Sequence, residues 1–193
     1  TWGDCSGNGK TAALSGSGFS ESNRTGNGAT SVVLALSGTT SSEIAFGAVI
    51  ESEFTVCSVT RYTGGAKNRI LQGGPGNWLH GHGSSSTQGN NAGYAGVAFY
   101  SALNTAQQNN VNPNTDWVVM CGTNAGRGSQ LKLANGVDVG TATGGTGGQS
   151  LYVNGGYVGY GNTKSDFAIA EVVVWNRGLT DEEMHGASDD LIN

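Results

Sequence analysis

The sequence predicts an all-β sandwich, two packed antiparallel sheets with one short helix near the C-terminal end, and three observations predict it. Glycine lies far above its usual share of roughly 7%, at 34 of 193 residues, while charged residues make up only 12% against an average near 25%. The apolar residues, 36% of the chain, arrive in short β-branched and aromatic packets between Gly, Ser, Asn and Thr clusters. A single segment carries a helix start signal. Two prolines and glycines without a three-residue period exclude collagen. So many short strands need two facing layers to bury their apolar sides.

In chain order, strands are expected at Ser31–Leu36, Glu43–Val49, Phe54–Tyr62, Arg69–Gln72, Trp78–His82, Gly96–Tyr100, Trp117–Thr123, Gln130–Ala134, Ser150–Val153 and Asp166–Trp175. Alternation in Phe54–Tyr62 puts Phe54, Val56, Ser58 and Thr60 on one face and Thr55, Cys57, Val59 and Arg61 on the other. Val172, Val173 and Val174 are apolar on both faces, which predicts a central strand covered on both sides. In that strand Glu171, Val173 and Trp175 share a face, so the Glu171 carboxylate is expected to be buried and paired, with Arg177 the nearest cation. The helix begins where the Thr180 side chain can cap and Glu183, three residues on, can reach back. It should run to about Leu191, with Leu179 and Met184 stapled across its start. The polar stretches Gly81–Gly93, Ala102–Thr115 and Thr141–Gln149 read as long surface loops, and residues 1–193 as one domain.

Charge and cysteines narrow the function. Nine Lys and Arg against 14 acids, a net charge of −5, offer no basic stripe for phosphates, so neither nucleic acid nor an anionic membrane is an expected partner. No apolar run approaches the ~20 residues that a bilayer span needs, so membrane insertion is not expected. The chain opens on Thr1 rather than Met, as a trimmed chain or one freed from a signal peptide would. Asn23-Arg24-Thr25 fits the N-glycosylation acceptor at Asn23, in keeping with a secreted or cell-surface protein. Cys5, Cys57 and Cys121 allow one internal disulfide at most, and without a CxxC spacing they do not suggest zinc.

The segment Asn77-Trp78-Leu79-His80-Gly81-His82 is the main binding candidate. Period-two alternation places Trp78, His80 and His82 on one face, where an indole could stack on a sugar ring and imidazoles could bond its hydroxyls. Arg61, Tyr62 and Arg69 would join that surface, beside Asn77, if these strands neighbour one another as a meander. The alternative is a core Trp78 with two exposed histidines. The H-x-H spacing also suits a transition metal, but no third ligand lies nearby in sequence. No serine sits in a G-x-S-x-G elbow, and Gly144-Gly145-Thr146-Gly147-Gly148 is not followed by a helix, so neither a nucleophilic triad nor a phosphate cradle is expected.

Both ends of the chain resemble a known family. Trp2-Gly3-Asp4-Cys5-Ser6-Gly7-Asn8-Gly9 resembles the W-x-D-x-S-G-N-G opening of laminin-G-like jelly rolls of the concanavalin A-like lectin/glucanase superfamily. Ile169 to Glu183 resembles their closing I-x-E-V-x-V-W-N-R-x-L-T-x-x-E element, and Glu53–Val56 and Asp116–Val119 resemble two middle strands. The resemblance implies a two-sheet jelly roll, one sheet concave and one convex, with the first and last strands adjacent. It places Cys57 and Cys121 on neighbouring strands, so a disulfide between them is one expectation and three buried thiols the other. It also implies a structural calcium ion, Ca2+, at Asp166 with the Gly3 and Gly47 carbonyls, against which stands a plain turn aspartate. Glycosidases of this fold carry paired carboxylates on one strand face, in an E-x-D-x-x-E pattern that is missing here. The expected function is therefore a non-catalytic, extracellular, lectin-like module that binds a glycan or polysaccharide. A structural or adhesive subunit that self-associates or binds matrix protein, and an atypical polysaccharide-cleaving enzyme, are the alternatives.

Overall fold

A computed structural model describes residues 1–83, 93–98, 113, 115–125, 130–142, 145–156 and 163–193. Two antiparallel sheets stack face to face, as the composition predicts. The strands are β1 (Ala13–Gly16), β2 (Ser20–Gly26), β3 (Ala29–Gly38), β4 (Ser42–Ile50), β5 (Thr55–Tyr62), β6 (Leu71–Gly74), β7 (Leu79–Gly83), β8 (Gly93–Ala98), β9 (Val118–Thr123), β10 (Gln130–Ala134), β11 (Val137–Ala142), β12 (Gln149–Val153) and β13 (Phe167–Trp175), followed by helix α1 (Asp181–Ile192). One sheet has six strands in the order β1-β4-β12-β6-β7-β8 and the other seven, β11-β10-β9-β5-β13-β3-β2. Strand β13 lies between β5 and β3, so the closing segment is central. The first strand, β1, lies at the edge of the six-stranded sheet beside β4, so the expected adjacency of first and last strands is corrected: β13 adjoins β3 and β5 instead.

Three strands escape the sequence reading for identifiable reasons. Strand β2, Ser-Glu-Ser-Asn-Arg-Thr-Gly, is a polar edge strand with no apolar alternation. Two hairpins turn on Asn-Gly: Asn27 and Gly28 have φ of 55° and 78°, and Asn135 and Gly136 have 48° and 75°. Positive φ at both central residues suits the right-handed twist of a two-residue hairpin, and Asn-Gly tolerates it best. Those dipeptides were the available signal for β2–β3 and β10–β11. The four-residue β1, exposed along most of its length, has almost no pattern to read. The expected strand Gly96–Tyr100 overlaps β8 up to Ala98. Its last two residues, and most of the loops expected at Gly81–Gly93 and Ala102–Thr115, lie outside the described residues.

Between the sheets, Ile44, Ile50, Phe54, Val56, Tyr62, Leu71, Trp78, Leu151, Val153, Phe167 and Ile169 form the main core, each 2% exposed or less. Cys57 and Cys121 oppose each other across β5 and β9 and are joined by a disulfide, leaving Cys5 free and exposed. Those sulfurs lie on the outer face of the seven-stranded sheet, under α1, in a cluster with Leu131, Leu133, Leu179 and Met184. The helix starts as the sequence predicts. Thr180 Oγ1 accepts from Glu183 N at 3.2 Å, and a Glu183 carboxylate oxygen accepts from Thr180 N at 2.9 Å. The opening motif acquires a local cause as well: Asp4 Oδ1 accepts from Ser6 N and Oδ2 from Lys10 N, both at 2.8 Å, closing the turn that pairs Trp2 with Ala12. The Ser6 side chain first, then these bonds from Lys10 N and Ser6 N, hold the Asp4 carboxyl down at about 2.

Candidate functional site

The structure moves the main binding candidate into the interior. Trp78 is 1% exposed, and His80 and His82 are fully buried. The three do share a face of β7 and its approach, but that face points at the other sheet: Trp78 packs edge-on against Phe54 at 5.9 Å, and His82 against Tyr62 at 4.5 Å between ring centroids. Alternation fixes which side chains lie together, not which side of the sheet they occupy. Gly73 also leaves room for the indole, since a Cβ there would come within 2.9 Å of Trp78 Cβ. A sugar cannot stack on this tryptophan, and the expectation that it forms an open platform is corrected.

The other members of that candidate surface scatter. Arg61 lies on the outer face of the opposite sheet, because β5 and β7 belong to different sheets rather than to one meander. Tyr62 is buried, its hydroxyl donating to the Asn68 carbonyl, and burial pushes its pKa well up. Arg69 is held by its backbone, with N donating to Thr163 O at 3.0 Å and its carbonyl accepting from Ser165 Oγ at 2.9 Å. Asn77 is half-buried in the turn before Trp78.

The buried histidines form a polar seam. His80 Nε2 lies 3.0 Å from the Met120 carbonyl, which can only accept, so the proton sits on Nε2 and Nδ1 carries the free lone pair. His82 Nδ1 lies 3.0 Å from Thr60 Oγ1. Desolvation lowers the His80 pKa to about 4 and that of His82 to about 3, so both are neutral at physiological pH. Lys132 enters the same interior, 1% exposed, with Nζ donating to Thr123 O at 2.9 Å, and burial lowers its pKa to about 8.

Asp166, expected at a calcium site, accepts from Ala66 N through Oδ2 at 3.0 Å and lies against Gly64, where it braces the turn after β5. Gly3 follows Trp2, whose ring meets Phe46 at 5.8 Å, and Gly47 sits in β4 opposite Leu151. Among the described residues no cluster of three or more His, Cys, Asp or Glu is arranged to hold a metal. Asn23 is exposed on edge strand β2.

An open groove lies instead between α1 and the outer face of β13. Its volume is about 540 Å³, and its lining includes Glu171, Val173, Trp175, Arg177, Glu183 and Asp190. Period two gathers Glu171, Val173 and Trp175 on this face, but Glu171 is exposed rather than buried and Arg177 does not pair with it. A register shift between Ile169 and Glu171 accompanies this change. Arg177 grips Glu183 with both terminal nitrogens, at 2.8 and 2.9 Å, and Glu183 is held ionised, at about 2, chiefly by that bond. The valine strand is therefore only partly buried on both sides: Val172 and Val174 pack against the main core, and Trp175 is half-buried at the groove floor.

No protein-family model and no curated protein matches the chain. Solved structures do match in fold. Domain 4 of AbnA, a GH43 extracellular arabinanase from Geobacillus stearothermophilus solved in complex with arabinotriose, superposes with a TM-score of 0.66 at 15% identity, covering 98% of this chain and 92% of that one. The binding domain of Paraclostridial Mosquitocidal Protein 1 gives 0.57 at 13% identity, over 98% of this chain and 49% of that one. The binding domain of botulinum neurotoxin DC, solved with rat synaptotagmin II, gives 0.57 at 13%, over 97% and 48%. The chain thus shares its β-sandwich with these proteins and spans about half of the two toxin chains. Among the described residues no helix is long and apolar enough to cross a membrane.

Proposed function

We propose that this domain is a non-catalytic carbohydrate-binding module of an extracellular protein, and that its ligand lies in the groove between α1 and β13. The observation that carries this reading is Trp175, a half-buried indole on the floor of an open groove rimmed by Glu171, Arg177 and Asp190. An aromatic face with polar groups around it is the chemistry that sugar rings and their hydroxyls call for. The match to an arabinotriose-bound domain over nearly the whole of both chains supports a glycan, and that arabinanase being extracellular supports the location. The end motifs support a place among laminin-G-like jelly rolls. A non-catalytic reading is supported by the missing E-x-D-x-x-E pattern and by the Arg177 clamp on Glu183, which does not suit that carboxylate to the proton-donating role of a glycosidase acid.

Calorimetric titration with arabino-oligosaccharides and a wider glycan panel tests the proposal. Binding in the millimolar to micromolar range is expected, with at least a tenfold loss in Trp175→Ala, whose fold is checked by circular dichroism because the indole also packs on the cluster around the disulfide. No binding to any glycan, with self-association in light scattering, would favour an adhesive subunit instead. New reducing ends on incubation with polysaccharide would restore the enzyme alternative.

A further inference from the structure

At the other end of the same outer face the seven-stranded sheet brings two arginines together, and among the described residues no carboxylate forms an ion pair with either. Register puts Arg61 of β5, Ala168 of β13 and Ser37 of β3 in one row. Arg24, on β2, reaches over this row, its Nη2 donating to Ser37 Oγ at 3.0 Å. Arg61 lies over the Trp117 ring at 5.3 Å, and its Nη1 donates to the carbonyls of Tyr62 and Thr115, each at 3.2 Å. Ala35, Val59, Val119 and Ala168 make the floor with Trp117, small enough to leave the guanidiniums above them. Trp117 is 7% exposed, and its Nε1 has no hydrogen-bond partner among the described residues; nor do Arg24 Nε and Arg61 Nε.

The three buried nitrogens left without a partner here, Arg24 Nε, Arg61 Nε and Trp117 Nε1, are all donors. Arginine and indole nitrogens have no acceptor capacity, and the planar fork of a guanidinium matches a carboxylate or sulfate edge to edge. Arg61 is depressed by burial first and by the neighbouring Arg24 charge second, against a smaller opposing effect of Asp116. Asp116 forms no ion pair within 4 Å with either arginine among the described residues. A neutral sugar would leave two adjacent positive charges uncompensated, and a cation would be repelled.

We propose that Arg24, Arg61 and Trp117 form a second site on this face, one that binds an oxyanion, the carboxylate of a uronic acid or the sulfate of a sulfated sugar. Ala168, in the arginine row, is seven residues along β13 from Trp175, about 23 Å at the rise of a strand. The two sites are therefore separate, and each stands or falls alone.

Nitrogen-15 NMR of the arginine Nε–H and tryptophan indole N–H signals tests it, with sodium sulfate and sodium galacturonate titrated at ionic strength held constant by sodium chloride. Saturable shifts of the Trp117 indole and the Arg24 and Arg61 Nε signals are expected at low millimolar anion. Saturation by sulfate alone assigns a sulfate ester, by galacturonate alone a uronate, and by both the shared oxyanion chemistry. Arg24 sits half-buried on an edge strand, so Arg24→Gln should fold with an unchanged melting temperature and bind at least tenfold more weakly, while Arg24→Lys recovers part of the loss. Shifts no larger than those caused by chloride, or equal affinity in Arg24→Gln, would overturn the site. Either result leaves glycan binding at Trp175 to be judged by its own titration.

Discussion

Lowering the pH from 7.5 to 5 should weaken this fold through two histidines that the sequence offered as ligand contacts. His80 and His82 are buried and neutral, with pKa values lowered from 6.5 to about 4 and about 3. The unfolded chain takes up a proton at each near 6.5 while the folded chain does not, so it binds more protons and stability falls as pH drops below 6.5. Each pH unit below that point costs about 1.4 kcal/mol per histidine, as long as the pH stays above the folded values. At pH 5 the loss is about 2 kcal/mol for each and about 4 kcal/mol together. Lys132, lowered to about 8, exchanges its proton differently in the two states only above that pH, outside the window. With a urea slope of about 2–3 kcal/mol/M the midpoint should fall by about 1.3–2 M. Urea titrations at half-unit pH steps measure this. A midpoint unchanged between pH 7.5 and 5, or native His80 and His82 resonances that titrate near 6.5, would refute the reasoning.

Three further outcomes follow from the packing. Trp78→Ala should cost about 3–5 kcal/mol of stability, the range for emptying a buried aromatic site, whereas a surface binding residue would cost almost nothing; chemical denaturation decides between them. Replacing Cys57 and Cys121 together by Ala frees a loop spanning 64 residues, and its closure entropy puts the loss at roughly 4 kcal/mol, to be read as a lower melting temperature that no longer responds to reductant. Thr180→Ala removes the cap of α1 and should cost about 1 kcal/mol, a drop of about 2–4 °C in calorimetry for a chain of this size, with no effect if the helix is held by packing alone.

Much of the architecture was legible because its signals are local. The helix start needs only Thr180, Glu183 and the apolar pair Leu179 and Met184, all within a few residues, and it forms as read. Central placement of β13 follows from three valines that cannot face water on either side of an edge strand. The Asn-Gly hairpins were equally local, and reading them as turns would have supplied β2 and β11.

The sequence by itself determined that Trp78, His80 and His82 lie together, that Glu171, Val173 and Trp175 lie together, and that a capped helix follows, because backbone periodicity and capping are set over a few bonds. Only the tertiary structure decided that the first trio faces the core and the second an open groove. A strand's two faces are equivalent until another layer covers one of them, and that covering depends on segments far apart in the chain. The same holds for Arg24 and Arg61, 37 positions apart, which sheet order brings to one face, Arg24 on Ser37 and Arg61 over Trp117.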